Sequence, residues 1–182
     1  FKGTGALIVH PDWTVTPFLH GGGQERGLRS GTENTLGILA FGAAVSAYPQ
    51  AEDALARMRA LAERLVSQLR EGLPEGAMRV IGLPLDDPRR APYILSIALA
   101  PVRSETMLEA LAADGVYVSN GSACASRRQK VSGVLAAMRV PRETAESAIR
   151  VSLAPDTTRE AIDHAAACML RHYDKLRLYA RR

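Results

Sequence analysis

The chain has 182 residues, 47% of them hydrophobic and 23% charged, with a net charge of +4, enough apolar mass for the core of one large or two small domains of an ordinary soluble globular protein. No basic and apolar leader opens it, and no apolar run approaches the roughly 20 residues that span a bilayer, so no membrane association and a cytoplasmic location are the expectation. Arginines are spread beside Glu and Asp and the few aromatics show no stacking pattern, which argues against direct nucleic-acid binding despite the positive charge.

The chain opens with "FKGTGALIV", a glycine-rich turn running straight into an apolar strand, as in the middle of a larger fold. Residues 6–9 and 14–19 read as two short strands joined by the turn "HPDW", a hairpin-like pair. The stretch "HGGGQERGLRSGTEN" is loop by composition, and a helix is expected over 35–47, ended by Pro49. From residue 51 to 71, Leu55, Met58, Ala62, Leu65 and Leu69 recur at steps of three and four, which predicts a long amphipathic helix connecting two domains. Beyond it the pattern predicts strands at 79–83 and 93–99, a helix over 104–113 capped by Ser104, and a short strand at 116–118. Helices over 133–138 and 142–147, the strand "AIRVSLA", and a last helix over 158–178 with Ile162, Ala165, Met169 and Leu176 on one face complete an α/β chain.

Two cysteines far apart in sequence leave neither a disulfide framework nor a zinc site of four cysteines. Cys124, in "SNGSACASRRQK", lies among small polar residues that leave its sulfur accessible, and Arg127, Arg128 and Lys130 favour the thiolate. The competing reading is a small residue filling a tight turn; for Cys168, between Ala167 and Met169, core packing is expected. Arg150 interrupts an apolar strand, where its fork suits a carboxylate, unless strand alternation simply turns it to solvent. In "RGLRSGTEN", backbone N–H groups and the Thr32 hydroxyl before a helix could meet a phosphate, aided by Arg26 and Arg29, or Thr32 could cap its own helix. His20, in "FLHGGG", is a candidate proton carrier or a structural residue.

Taken in order, "GTGALIV", "HGGGQERGLRSGTEN", "SNGSACAS" and "IRVSLAPDTTREAID" resemble the cysteine desulfurases, pyridoxal 5'-phosphate enzymes of the aminotransferase class V group, over nearly the whole chain. The resemblance is to the branch with the longer cysteine loop that serves iron–sulfur cluster assembly. It implies the C-terminal half of a fold-type I transferase: residues 1–50 the end of the large cofactor-binding domain, 51–72 the connecting helix, 73–182 the small C-terminal domain carrying the cysteine loop. It implies removal of sulfur from L-cysteine, giving L-alanine and a persulfide on Cys124 that passes to a sulfur-acceptor or iron–sulfur scaffold protein. Arg150 corresponds to the arginine that holds the substrate carboxylate. Thr32 corresponds to the threonine that reaches the cofactor phosphate of the neighbouring subunit, which implies a homodimer.

Two departures accompany the resemblance. The chain begins at "FKG", the tail of the family's "GPKG" segment with Phe1 in place of proline, so the Schiff-base lysine is expected upstream of Phe1; Lys2 aligns with a second, nearby lysine. The "RRQK" stretch is more basic than the family pattern, which would lower the thiol pKa or favour an acidic acceptor. A cofactor-free sulfur-carrier or interaction module built on Cys124, and an enzyme resembling selenocysteine lyase, are the alternatives.

Overall fold

The computed structural model describes residues 2–48, 51–120 and 132–180 of the chain, and its long helix α2, Ala51–Gly72, bears out the apolar spacing. Its buried stripe is Ala54, Met58, Leu61, Ala62, Leu65, Val66 and Leu69, while Leu55 stands at the edge, 37% exposed. Leu65 and Leu69 are fully buried, each stabilising the fold by about 1.5–3 kcal/mol relative to exposure. The chain divides into two units, Phe1–Pro49 and Gln50–Arg182.

In the first unit the regular elements are a short 3-10 turn, Gln24–Gly27, and α1, Thr35–Ala47. The expected strands at 6–9 and 14–19 do not form: neither joins a strand ladder among the described residues, and Leu7, Ile8 and Phe18 are exposed. A two-stranded ribbon without a sheet or helix beneath it is marginal, which is why apolar alternation did not suffice here. Asn34, not Thr32, caps α1, its side chain accepting from the Gly37 N–H at 3.1 Å. α1 is apolar on all sides, with only Gly37 buried.

The second unit is an antiparallel sheet of β1 (Met78–Ile81), β2 (Ile94–Leu99), β3 (Ser119–Asn120) and β4 (Ala148–Ser152), in the order β1-β2-β4-β3. Strand alternation divides its side chains between two faces. Leu95, Ile97, Leu99, Ile149 and Val151 point into the main core, where they meet α2, α3 (Ser104–Ala113) and α6 (Arg159–Leu176). On the other face Ile81, Ala98 and Ala148 pack with Leu135 of α4 (Gly133–Ala137) and Ala145 of α5 (Arg142–Glu146). These two short helices pack on one end of that face, and Ile94, Ser96, Arg150 and Ser152 lie toward its other end.

Two polar clamps fasten α6. Arg64 of α2 donates twice to Asp163, at 2.6 and 2.8 Å, and Gln68 adds a third bond at 2.7 Å. At the end of α3, Asp114 accepts from Arg171 at 2.6 Å and pairs with His172. Gly115, at φ +76°, makes the left-handed turn that ends α3, a conformation that costs glycine nothing.

Several local expectations shift. Arg103 rather than Ser104 occupies the cap position of α3; Ser104 is the first helical residue and is buried. The strand expected at 116–118 forms instead at Ser119–Asn120, where the chain reaches the edge of β4. Cys168 is fully buried on α6 as expected, with His164 Nε2 at 3.6 Å and an Arg171 nitrogen at 3.5 Å from its sulfur.

Candidate active site

Arg150 sits in the middle of β4 between Ile149 and Val151, which are buried on the core face, so alternation turns its guanidinium to the opposite, open face. The register places Ser96 of β2 on one side of it and Ser119 of β3 on the other. A basic residue flanked by two serines is a polar stripe across three neighbouring strands. The Arg150 guanidinium has no hydrogen bond or ion pair among the described residues, which leaves its five N–H donors unused by them. It lines a cleft of about 330 Å3 with Ser96, Ile94, Ser132 and Met138, within the size range of small-molecule sites.

Cys124 lies outside the described residues, but both described ends of its segment are at this cleft. Asn120 pairs with Ile149, next to Arg150, and Ser132 is part of the cleft wall.

Thr32 belongs to the first unit. Its loop is organised by contacts of its own: Ser30 Oγ donates to the Gly22 carbonyl at 2.8 Å, and the Gly31 N–H to Gln24 Oε1 at 3.2 Å. Glu25, Arg26 and Gly27 all adopt positive φ, and so does Gly31, at φ +115°, a conformation that favours glycine. With Asn34 as the cap of α1, the exposed Thr32 hydroxyl has no partner among the described residues. An unused hydroxyl two residues before a helix cap, at the positive end of the helix dipole, fits a phosphate. Arg29 is turned to the Ser30 carbonyl at 2.8 Å, and His20 is exposed with no hydrogen bond among the described residues.

Two residues of the cleft escaped the sequence reading. Ser96 was visible as a polar break in "YILSIAL", but only the strand register places it beside Arg150. Arg90 lines the same cleft from the turn before β2, and nothing in "DDPRRAP" distinguished it from its exposed neighbour Arg89, which pairs with Asp87 at 2.7 Å.

A family model described as aminotransferase class-V matches residues 2–164. The cysteine desulfurase IscS of Clostridium botulinum is 36% identical over 167 residues, which are 90% of this chain and 41% of that protein. The mitochondrial cysteine desulfurase of Arabidopsis thaliana is 38% identical over 181 residues, 97% of this chain and 38% of the relative. Among solved structures, a NifS-like protein matches with a TM-score of 0.72 at 33% identity, covering 92% of this chain and 41% of its own, and a NifS-like protein of Rickettsia africae with a TM-score of 0.68 at 27% identity. The chain thus spans about two fifths of the length of the relatives it matches. By that match over residues 2–164, and by the order of its glycine-rich loop, cysteine segment and arginine strand, the chain belongs to the aminotransferase class-V family.

Proposed function

We propose that the chain is part of a pyridoxal-phosphate-dependent cysteine desulfurase, in which Arg150 holds the carboxylate of L-cysteine and Cys124 takes its sulfur. The observation that carries this reading is the unpartnered Arg150 on the open face of the sheet, with both described ends of the cysteine segment beside it. The sequence names of the relatives, cysteine desulfurases from bacteria and a plant mitochondrion, support the same reading.

In this scheme the planar guanidinium of Arg150 grips both carboxylate oxygens and so fixes the orientation of the amino acid over the cleft. The Cys124 thiolate, favoured by Arg127, Arg128 and Lys130, forms a sulfur–sulfur bond to the substrate sulfur. As it does, the substrate carbon–sulfur bond breaks; the carbon fragment keeps the electron pair, takes a proton and leaves as L-alanine, and Cys124 carries a persulfide. Pyridoxal phosphate, when bound, supplies the electron sink for that bond cleavage, and Thr32 would hold its phosphate from a neighbouring copy of the chain in a homodimer. Residues 1–50 are then the end of the cofactor domain, 51–72 the connector and 73–182 the small domain. The basic stretch after Cys124 suits an acidic sulfur acceptor, serving iron–sulfur cluster or thio-cofactor synthesis in the cytoplasm.

The test is Cys124→Ser in the full-length protein, with L-cysteine as substrate. Persulfide formation is expected to vanish while the cofactor absorbance stays; sulfur transfer retained in that variant would sink the assignment of the nucleophile.

A further inference from the structure

The reaction proposed above employs one guanidinium of the cleft and leaves a second without a task. Arg90 lines the same 330 Å3 cleft as Arg150. It is held at its post: one of its terminal nitrogens donates to the Leu83 carbonyl, and Gly82, at φ +101°, makes the turn that brings that carbonyl round, where a Cβ would stand 3.6 Å from the same nitrogen. The bond to Leu83 uses one of five donors, and no carboxylate pairs with Arg90 or Arg150 among the described residues.

Burial, and after it the charge of Arg59, pushes the Arg90 guanidinium down from its ordinary value. The Arg90 guanidinium stands against Gly82, just past the end of β1, whereas Arg150 is on β4 with β2 between, so roughly two strand spacings of about 4.8 Å separate their places. Between them the wall is mainly apolar, with Ile81, Ile94 and Met138, and offers Ser96 as a hydroxyl. Cations without counter-charges attract an anion, the more strongly where one of them, Arg90, is partly buried while Arg150 is exposed. Two of them, separated across an apolar wall, match an acid group at each end of a short carbon chain.

We infer that the cleft binds a short-chain dicarboxylic acid, one carboxylate on Arg150 and the other on Arg90. Such an acid competes with the amino-acid carboxylate for Arg150, so it is an inhibitor of the site in the preceding reading. The inference itself concerns residues of the second unit alone and does not depend on sulfur chemistry.

The experiment is calorimetric titration of the 182-residue chain, in a phosphate-free buffer of low ionic strength, with glutarate and with valerate, which has the same five carbons and one carboxylate fewer. Glutarate is expected to bind at least about tenfold more tightly, the factor that about 1.4 kcal/mol confers. Arg90→Gln should bring glutarate down to the level of valerate and leave valerate unchanged, whereas Arg150→Gln should weaken both. Arg90→Lys, which keeps the charge and loses the fork, should fall in between. Equal affinity for the two acids in the unsubstituted chain overturns the inference without recourse to any variant, as does the absence of glutarate binding up to about 10 mM. Glutarate affinity unchanged in a folded Arg90→Gln chain overturns it too. A chain that binds glutarate through both arginines, while the full-length protein forms no persulfide from L-cysteine, keeps this inference and loses the preceding one; persulfide formation without the glutarate preference does the reverse.

Discussion

Leu65→Ala tests the packing that holds the Arg150 sheet in place. Leu65 is fully buried in the stripe of α2 that faces α6 and the core side of the sheet. Shortening it to alanine withdraws three carbons from the core, about 2.4 kcal/mol at about 0.8 kcal/mol each. The residual cavity adds roughly 24 cal/mol per Å3, bringing the loss to about 3 kcal/mol or somewhat more. For a unit of about 130 residues the entropy of unfolding is about 0.27 kcal/mol/K, so the melting temperature should fall by roughly 12 °C. Circular dichroism at 222 nm reads this directly, with Glu52→Ala, on the exposed face of the same helix, as the comparison expected to change stability by no more than about 0.5 kcal/mol. Because Leu65 packs on the face of the sheet opposite Arg150, carboxylate binding measured well below the melting temperature should not change. A loss under about 4 °C, or one no greater than that of Glu52→Ala, would refute the placement of α2 over the core.

The remaining predictions concern acid stability and the first unit. Arg64 and Gln68 hold the Asp163 carboxyl at about 2, below its ordinary 3.8, so this clamp's contribution is present above the ordinary value and is lost as pH falls through about 2. In Asp163→Asn the dependence of the denaturant midpoint on pH should therefore flatten between those two values; an unchanged acid slope would show that the clamp does not form in solution. α1 exposes Leu36, Leu39 and Val45 and buries only Gly37, and a 13-residue helix without tertiary burial is marginal in water. Its amides in the 182-residue chain should exchange far faster than those of α6, and comparable protection would mean that its apolar surface is covered in solution.

What the sequence determined by itself was what depends on near neighbours along the chain. The three-and-four spacing of Met58, Ala62, Leu65 and Leu69 was sufficient for α2, because i and i+4 share a face whatever the helix packs against. The alternation around Arg150 offered a side chain pointing away from Ile149 and Val151 as one of two readings, and the strand takes that one. The order of the glycine-rich loop, cysteine segment and arginine strand was enough for the family. Tertiary structure alone decided whatever depends on register and on distant partners. Residues 6–19 have the composition of strands but no sheet to join among the described residues, and Ser119 became a strand only where β4 offered its edge. Ser96 and Arg90 come to the Arg150 cleft from positions more than fifty residues away in sequence, through an antiparallel pairing in which a shift of one residue would have turned Ser96 into the core. Cross-strand register is set by the whole packed sheet, and for that reason the second arginine of the site could not be read from the chain itself.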